Sequence, residues 1–198
     1  MIKSFVIKLL SYLNKKKLSK IAQIYSNTSI GYAAKISNRA DKQSIIISDY
    51  SSFYGRIVNG PNGKVKIGRC STIRFGTIIE SACQIDIGNE VIISNNVIIT
   101  DNDSHPTSVS ARSDMSRSDH NGPLWHWEHA RQAPVIIEDN VWIGRQVMIM
   151  KGVKIGKGSI IASGTVVTKN VPEFSLCFGN PCIIKPNKYN EEYDEKNS

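Results

Sequence analysis

The chain has four histidines, His105, His120, His126 and His129, and all of them fall within residues 105–136. A neutral imidazole accepts a proton near neutral pH, with an unperturbed pKa of about 6.5, so it can activate a weak oxygen nucleophile as a general base. His105 is followed by Pro106. Asp103, two residues before it, is one candidate for the carboxylate that orients its ring. His126 and His129 stand three apart, a spacing that can set two imidazoles on one helical face for a metal ion. The same stretch holds Trp125, Trp127 and Arg131, and aromatic faces suit the apolar faces of sugars. At 32 residues it is too long for an ordinary connection in a compact domain.

The residues on either side of this stretch explain what must hold it. From Ile137 the sequence advances in steps of six through Ile143, Ile149, Ile155, Ile161 and Val167. Upstream the same step runs through Ile67, Ile73 and Ile79, pauses for Ile85 and Asp86, and resumes at Ile87, Ile93 and Ile99. All twelve first positions are aliphatic, and eleven of the twelve fifth positions are small or β-branched, Asp103 being the exception. A six-residue period fits a coil of three short flat strands with one aliphatic side chain per strand turned inward. Coils then stack at the strand spacing of about 4.7–4.9 Å, and identical side chains form columns. One hexad cannot bury its apolar face alone, so the repeats act together. Gly68, Gly88, Gly144 and Gly156 follow first-position isoleucines, where a small residue helps the chain turn a corner.

With 198 residues and 40% apolar content, the chain can bury one sizeable core. Its formal charge is +8, yet residues 1–20 alone carry six lysines and no acid, so the remainder is nearly neutral. No recognised binding motif accompanies the charge, and a nucleic-acid partner is not expected. Ile2, Phe5, Val6, Leu9, Leu10 and Leu13 form one stripe at helical spacing. The segment therefore reads as an amphipathic helix, assigned to residues 1–25, that docks its stripe on the domain or on a neighbouring subunit. Its lysines add an option of weak contact with an anionic membrane surface. No apolar run of membrane-spanning length occurs, and a secretory signal is not expected. Cysteines occur only at 70, 83, 177 and 182, without a C-x-x-C pair. That argues against a disulfide scaffold or zinc ribbon and for a reducing compartment, the cytoplasm or the inner face of the membrane. Residues 187–198 read as an acidic tail.

The stretch Val135–Lys185 resembles the hexapeptide-repeat acyltransferases, on the branch of the galactoside, maltose and bacterial polysaccharide O-acetyltransferases. The matching residues are Asn140-Val141-Trp142-Ile143-Gly144, then Lys151-Gly152-Val153-Lys154-Ile155-Gly156, then Ala162-Ser163-Gly164-Thr165-Val166-Val167-Thr168-Lys169, and Gly179-Asn180-Pro181. Thr100-Asp101-Asn102-Asp103-Ser104-His105-Pro106 resembles the family's catalytic histidine turn. The resemblance implies an all-β fold: a left-handed parallel β-helix over residues 26–186, interrupted by a loop at 105–136 that walls an active site shared within a homotrimer. It further implies transfer of acetyl from acetyl-CoA to a sugar hydroxyl, in O-antigen or capsule biosynthesis, with His105 as the base; since members often place an acid in the loop shortly before the second block, Glu128 is the other candidate to orient its ring. Arg145, Ser163, Thr168 and Lys169 match positions that contact the CoA arm, Trp142 matches one that lines the site, Lys185 is the candidate for the CoA phosphate, and Trp125, His126, Trp127 and Arg131 are expected to line the acceptor pocket. After Gly179-Asn180-Pro181, where many members place a basic residue, this chain runs Cys182-Ile183-Ile184, leaving Lys185 as the nearby cation.

Other classes share the fold. An N-acetyltransferase of an amino sugar and an antibiotic-modifying acetyltransferase use the same base logic and differ in the acceptor. The gamma-class carbonic anhydrases bind zinc through two close histidines and one far upstream on the coil. The His126 and His129 pair lacks that arrangement, so no metal is expected.

Overall fold

The computed structural model describes residues 2–187, so the acidic tail lies outside the described residues apart from Asn187. A helix, α1 (Ile2–Leu18), is followed by a prism of three parallel sheets. The first sheet stacks six strands from Gln23–Ile24 to Lys154–Ile155. The third stacks six from Lys35–Asn38 to Val166–Val167. The second has eight, from Ser29–Ile30 to a closing antiparallel hairpin, Ser175–Phe178 and Ile183–Pro186. Strand neighbours are otherwise parallel and in register. Ile47, Ile67, Ile87, Ile137 and Ile155 form one column. Ile73, Ile93, Ile143 and Ile161 form a second. Ile57, Ile79, Ile99, Ile149 and Val167 form the third. These side chains are essentially without solvent exposure, so the six-residue period is the period of the core. A Cβ on Gly144 would come within 2.6 Å of the Ser163 nitrogen of the next coil, which is why the corner needs glycine.

Four expectations are altered. Helix α1 does not lay its stripe on its own domain: Phe5, Val6, Leu9, Leu10 and Leu13 are exposed. It docks by the opposite side, burying Leu18. Asn14 Nδ2 donates to the carbonyls of Gly31 and Ala34, and Lys15 Nζ to those of Ser26 and Thr28. The first coil has no strand beneath it, so its open edge recruits polar side chains. Burial lowers the Lys15 pKa, and the charge of Asp49 acts against that. The coil starts at Gln23, within the segment assigned to the helix. The loop returns to the coil at Val135, within the range 105–136 assigned to it, and it holds α2 (Val109–Arg117) and two single 3-10 turns. Finally, Cys177 and Cys182 are joined in a disulfide across the closing hairpin, where reduced cysteines had been expected.

The rule for fifth positions also changes at one corner. Between the third and first sheets, in the coils below the loop, the buried residue lies two past each column isoleucine: Asn59, Ser81 and Asp101 after Ile57, Ile79 and Ile99. Those coils repeat at twenty residues (Ile47, Ile67, Ile87), against eighteen from Ile137 to Ile155, and the longer corner shifts the inward position. Cys83 and Asp103 are consequently only partly buried.

Candidate active site

The turn that presents His105 is built on Asp101. Its carboxylate is fully buried and accepts from Ala82 N at 2.7 Å, Ser81 Oγ at 2.8 Å, Cys83 N at 2.9 Å and Asn102 Nδ2 at 3.3 Å. Asn102 Oδ1 accepts from Ser104 N at 2.8 Å, and Ser104 takes a left-handed conformation, φ 61°. Such a backbone is uncommon for a non-glycine residue and marks a turn held by its surroundings. The loop leaves and returns through one pinch. Asn102 bridges Gln132 in antiparallel fashion, Asp103 N donates to Arg131 O, and Ala133 N donates to Asp101 O.

His105 follows this turn with its side chain exposed, and its ring meets Trp125 edge-on at 5.8 Å between centroids. Trp125 also contacts His120 at 4.6 Å. Among the described residues neither nitrogen of His105 has a hydrogen-bond partner, and the indole N–H of Trp125 is buried without one. The two acids expected near His105 are placed otherwise. Asp103 pairs with Lys151 Nζ, and Glu128 is exposed on a 3-10 turn, so neither holds the ring in this structure. Arg131 is exposed where the loop rejoins the coil. Trp125, His126 and Trp127 fold back along the corner and line a small cavity with Arg39, Val58, Asn59, Gly60 and Pro61. Past Pro61 the surface opens into a groove of about 750 Å³, lined by polar residues that include Asp41, Gln43, Lys64, Lys66 and Asp86. Among the described residues no group of three or more His, Cys, Asp or Glu side chains converges as metal ligands would.

The residues expected to contact the CoA arm divide between corners. Thr168 and Lys169 stand at the corner of the third and first sheets, two tiers above the His105 turn. Arg145 and Ser163 share the corner of the second and third sheets, where Arg145 N donates to Ser163 Oγ at 3.1 Å. Trp142 projects from the second sheet, half exposed, stacked in register between Ile92 and Ile160. Lys185 lies over the Phe178 ring of the closing hairpin. One chain therefore does not bring the second group to His105.

Sequence reasoning missed Arg39 and gave no role of their own to Asp101, Asn102 and Lys151, which it placed only within longer motifs. For Asp101 a signal was present, because Asn59, Ser81 and Asp101 recur two residues after successive column isoleucines.

The three-sided parallel β-coil with its histidine-headed loop is an architecture shared with known transferases. The family profile described as bacterial transferase hexapeptide (six repeats) matches residues 134–169. A galactoside O-acetyltransferase of Lactococcus lactis is 32% identical over 69% of this chain and 56% of that protein. The solved structure of the polySia-specific acetyltransferase NeuO matches at a TM-score of 0.68 and 30% identity, covering 88% of this chain and 82% of that one. AntD, an N-acyltransferase from Bacillus cereus solved with dTDP and coenzyme A, matches at a TM-score of 0.67 and 20% identity, over 92% and 94% of the two chains; this likeness concerns the fold. The chain belongs to the hexapeptide-repeat acyltransferase family, and its coil is the family's left-handed parallel β-helix. It spans about half the length of the curated relatives it matches.

Proposed function

We propose that the protein transfers acetyl from acetyl-CoA to a sugar hydroxyl of a surface polysaccharide, such as an O-antigen or capsule, on the cytoplasmic side. His105 is the general base. The observation that carries this reading is the exposed imidazole at the head of the loop, unpartnered among the described residues and set beside an aromatic wall. The acceptor hydroxyl attacks the thioester carbonyl carbon while a ring nitrogen of His105 takes its proton. The tetrahedral oxyanion collapses, the C–S bond breaks, and the CoA thiolate takes that proton from the imidazolium. Thiols have a pKa of about 8.5, so this leaving group needs little acid assistance.

Trp125 and Trp127 offer faces for the sugar, with His126 and Arg131 as polar contacts, and a polymeric acceptor would continue over Pro61 into the polar groove. Transfer to sugars by the galactoside and polySia acetyltransferases supports this acceptor class. A homotrimer would bring the Trp142, Arg145 and Ser163 corner of a neighbour toward His105 and so join the two halves of the donor groove.

The test is thiol release from acetyl-CoA with a panel of bacterial glycans, nucleotide-linked sugars and amino sugars. A hydroxyl acceptor should support release, and His105→Ala should lower turnover by about 10² to 10⁴-fold, the usual size of a general-base contribution. Acceptance of amino sugars alone would replace O-acetylation by N-acetylation. A variant that kept more than about a tenth of the native rate would remove His105 as the base.

A further inference from the structure

Helix α1 is amphipathic the wrong way round for a helix packed on its own core. The side turned to the coil carries Ser11, Asn14, Lys15 and Leu18, and its contacts are mostly hydrogen bonds to first-coil carbonyls. The opposite side carries Phe5, Val6, Leu9, Leu10 and Leu13, all exposed, Phe5 at 68%. Monomeric soluble proteins rarely leave a contiguous stripe of this kind uncovered. Because Asn14 and Lys15 fix the helix to the base of the coil, the stripe is held facing away from the domain.

We propose that this stripe lies on an anionic lipid bilayer. The charge pattern selects the occupant. Lys8, Lys16 and Lys17 on the helix and Lys20 just beyond it are all exposed, and residues 1–20 contain no acid. At about 1.5 Å per residue the seventeen-residue helix is about 25 Å long. It is a surface helix and not a span, since no described helix is long and apolar enough to cross a membrane. Its apolar side enters the acyl boundary while the lysines meet anionic headgroups, the arrangement of interfacial helices. A second copy of this helix would bring the same lysines together without an acid to offset them. A bilayer surface supplies both the apolar layer and the negative charge. The base of the coil would then face the membrane.

The experiment is co-sedimentation of the full chain with vesicles of phosphatidylglycerol and phosphatidylcholine, against vesicles of phosphatidylcholine alone. Binding should require phosphatidylglycerol and weaken with added salt. Each lysine near such a surface contributes a factor of about five, so Lys8→Gln, Lys16→Gln and Lys17→Gln together should weaken binding roughly a hundredfold. Phe5→Ser with Leu9→Ser should abolish binding and leave thiol release with a soluble acceptor unchanged, because these side chains touch neither the core nor the loop. Absence of binding to anionic vesicles would overturn the proposal. If the native chain leaves anionic vesicles unbound and Phe5→Ser with Leu9→Ser gives a smaller particle than the native chain in light scattering, the stripe belongs to a second copy of the chain.

Discussion

Replacing Asp101 tests whether the turn behind His105 is held by a buried carboxylate. Each of its oxygens accepts a backbone N–H, Oδ1 from Ala82 and Oδ2 from Cys83. In Asp101→Asn an NH₂ group must occupy one of those places, so in either amide orientation a donor faces a donor. A buried donor left without an acceptor costs about 1–3 kcal/mol, and this substitution should cost that much. Asp101→Ala strands both N–H groups, for about 2–6 kcal/mol, with water entering the vacated space drawing the figure toward the lower end. Ser81 adds little to either figure, because its hydroxyl also has the Lys64 carbonyl within reach at 3.1 Å. Ser81→Ala is the milder control: it leaves the carboxylate intact, and the Lys64 N–H that Ser81 Oγ accepts at 3.2 Å belongs to an exposed residue, where water can replace the hydroxyl. Urea unfolding at fixed protein concentration should show the midpoint falling in the order Ser81→Ala, Asp101→Asn, Asp101→Ala, with the slope unchanged. Turnover should fall in the same order, because Asn102 and Ser104, which aim His105, depend on the same turn. An Asp101→Asn protein within about 0.5 kcal/mol of the parent, the range of an ordinary surface substitution, would refute the reasoning.

Burial and the nearby Asp101 carboxylate push the Cys83 thiol up to about 11, and Cys70 is exposed. The thiolate is the reactive form, so alkylation at neutral pH should label Cys70 well before Cys83, with Cys83 labelling rising only as pH approaches that value; peptide mass mapping reads the result. Outward from the third sheet stand Ile78, Ile98, Met148 and Val166, and from the second Ile92 and Trp142, faces suited to neighbouring copies. Light scattering should give a trimer at micromolar concentration, and Met148→Glu should dissociate it and lower thiol release together. A stable, fully active monomer would remove the shared site.

The columns were legible because one side chain per strand stacks on its copy in the next coil, so the physical repeat and the sequence repeat coincide. The loop was legible as a break in that repeat, and His105 as its first residue. The facing of α1 was not. A stripe shows that one side of a helix is apolar, but the first-coil carbonyls of Ser26, Thr28, Gly31 and Ala34 determined which side met the protein. Asp103 stood out as an exception to a pattern, yet its partner, Lys151, lies 48 residues away on the next coil, and no local spacing announces it. The donor residues could be assigned to corners from the period. Bringing two corners together requires a second chain, which the pattern of one chain does not describe.

The same ladder accounts for both the plain corners and the special one. At ordinary corners a buried hydroxyl serves two neighbours in the next coil. Ser71 Oγ donates to Gly88 O at 2.8 Å and accepts from Val91 N at 3.0 Å, and Thr77 Oγ1 does the same toward Ser94 O and Val97 N. Ser51 and Ser159 repeat the arrangement. At the tier of the loop the chain leaves the coil, and the backbone N–H groups of Ala82 and Cys83 lose the regular strand above them. A hydroxyl cannot accept from both while also receiving Ser81, but a carboxylate with two oxygens can. Asp101 thus appears where the coil is interrupted, and the interruption it makes tolerable is the one that carries His105 to the surface.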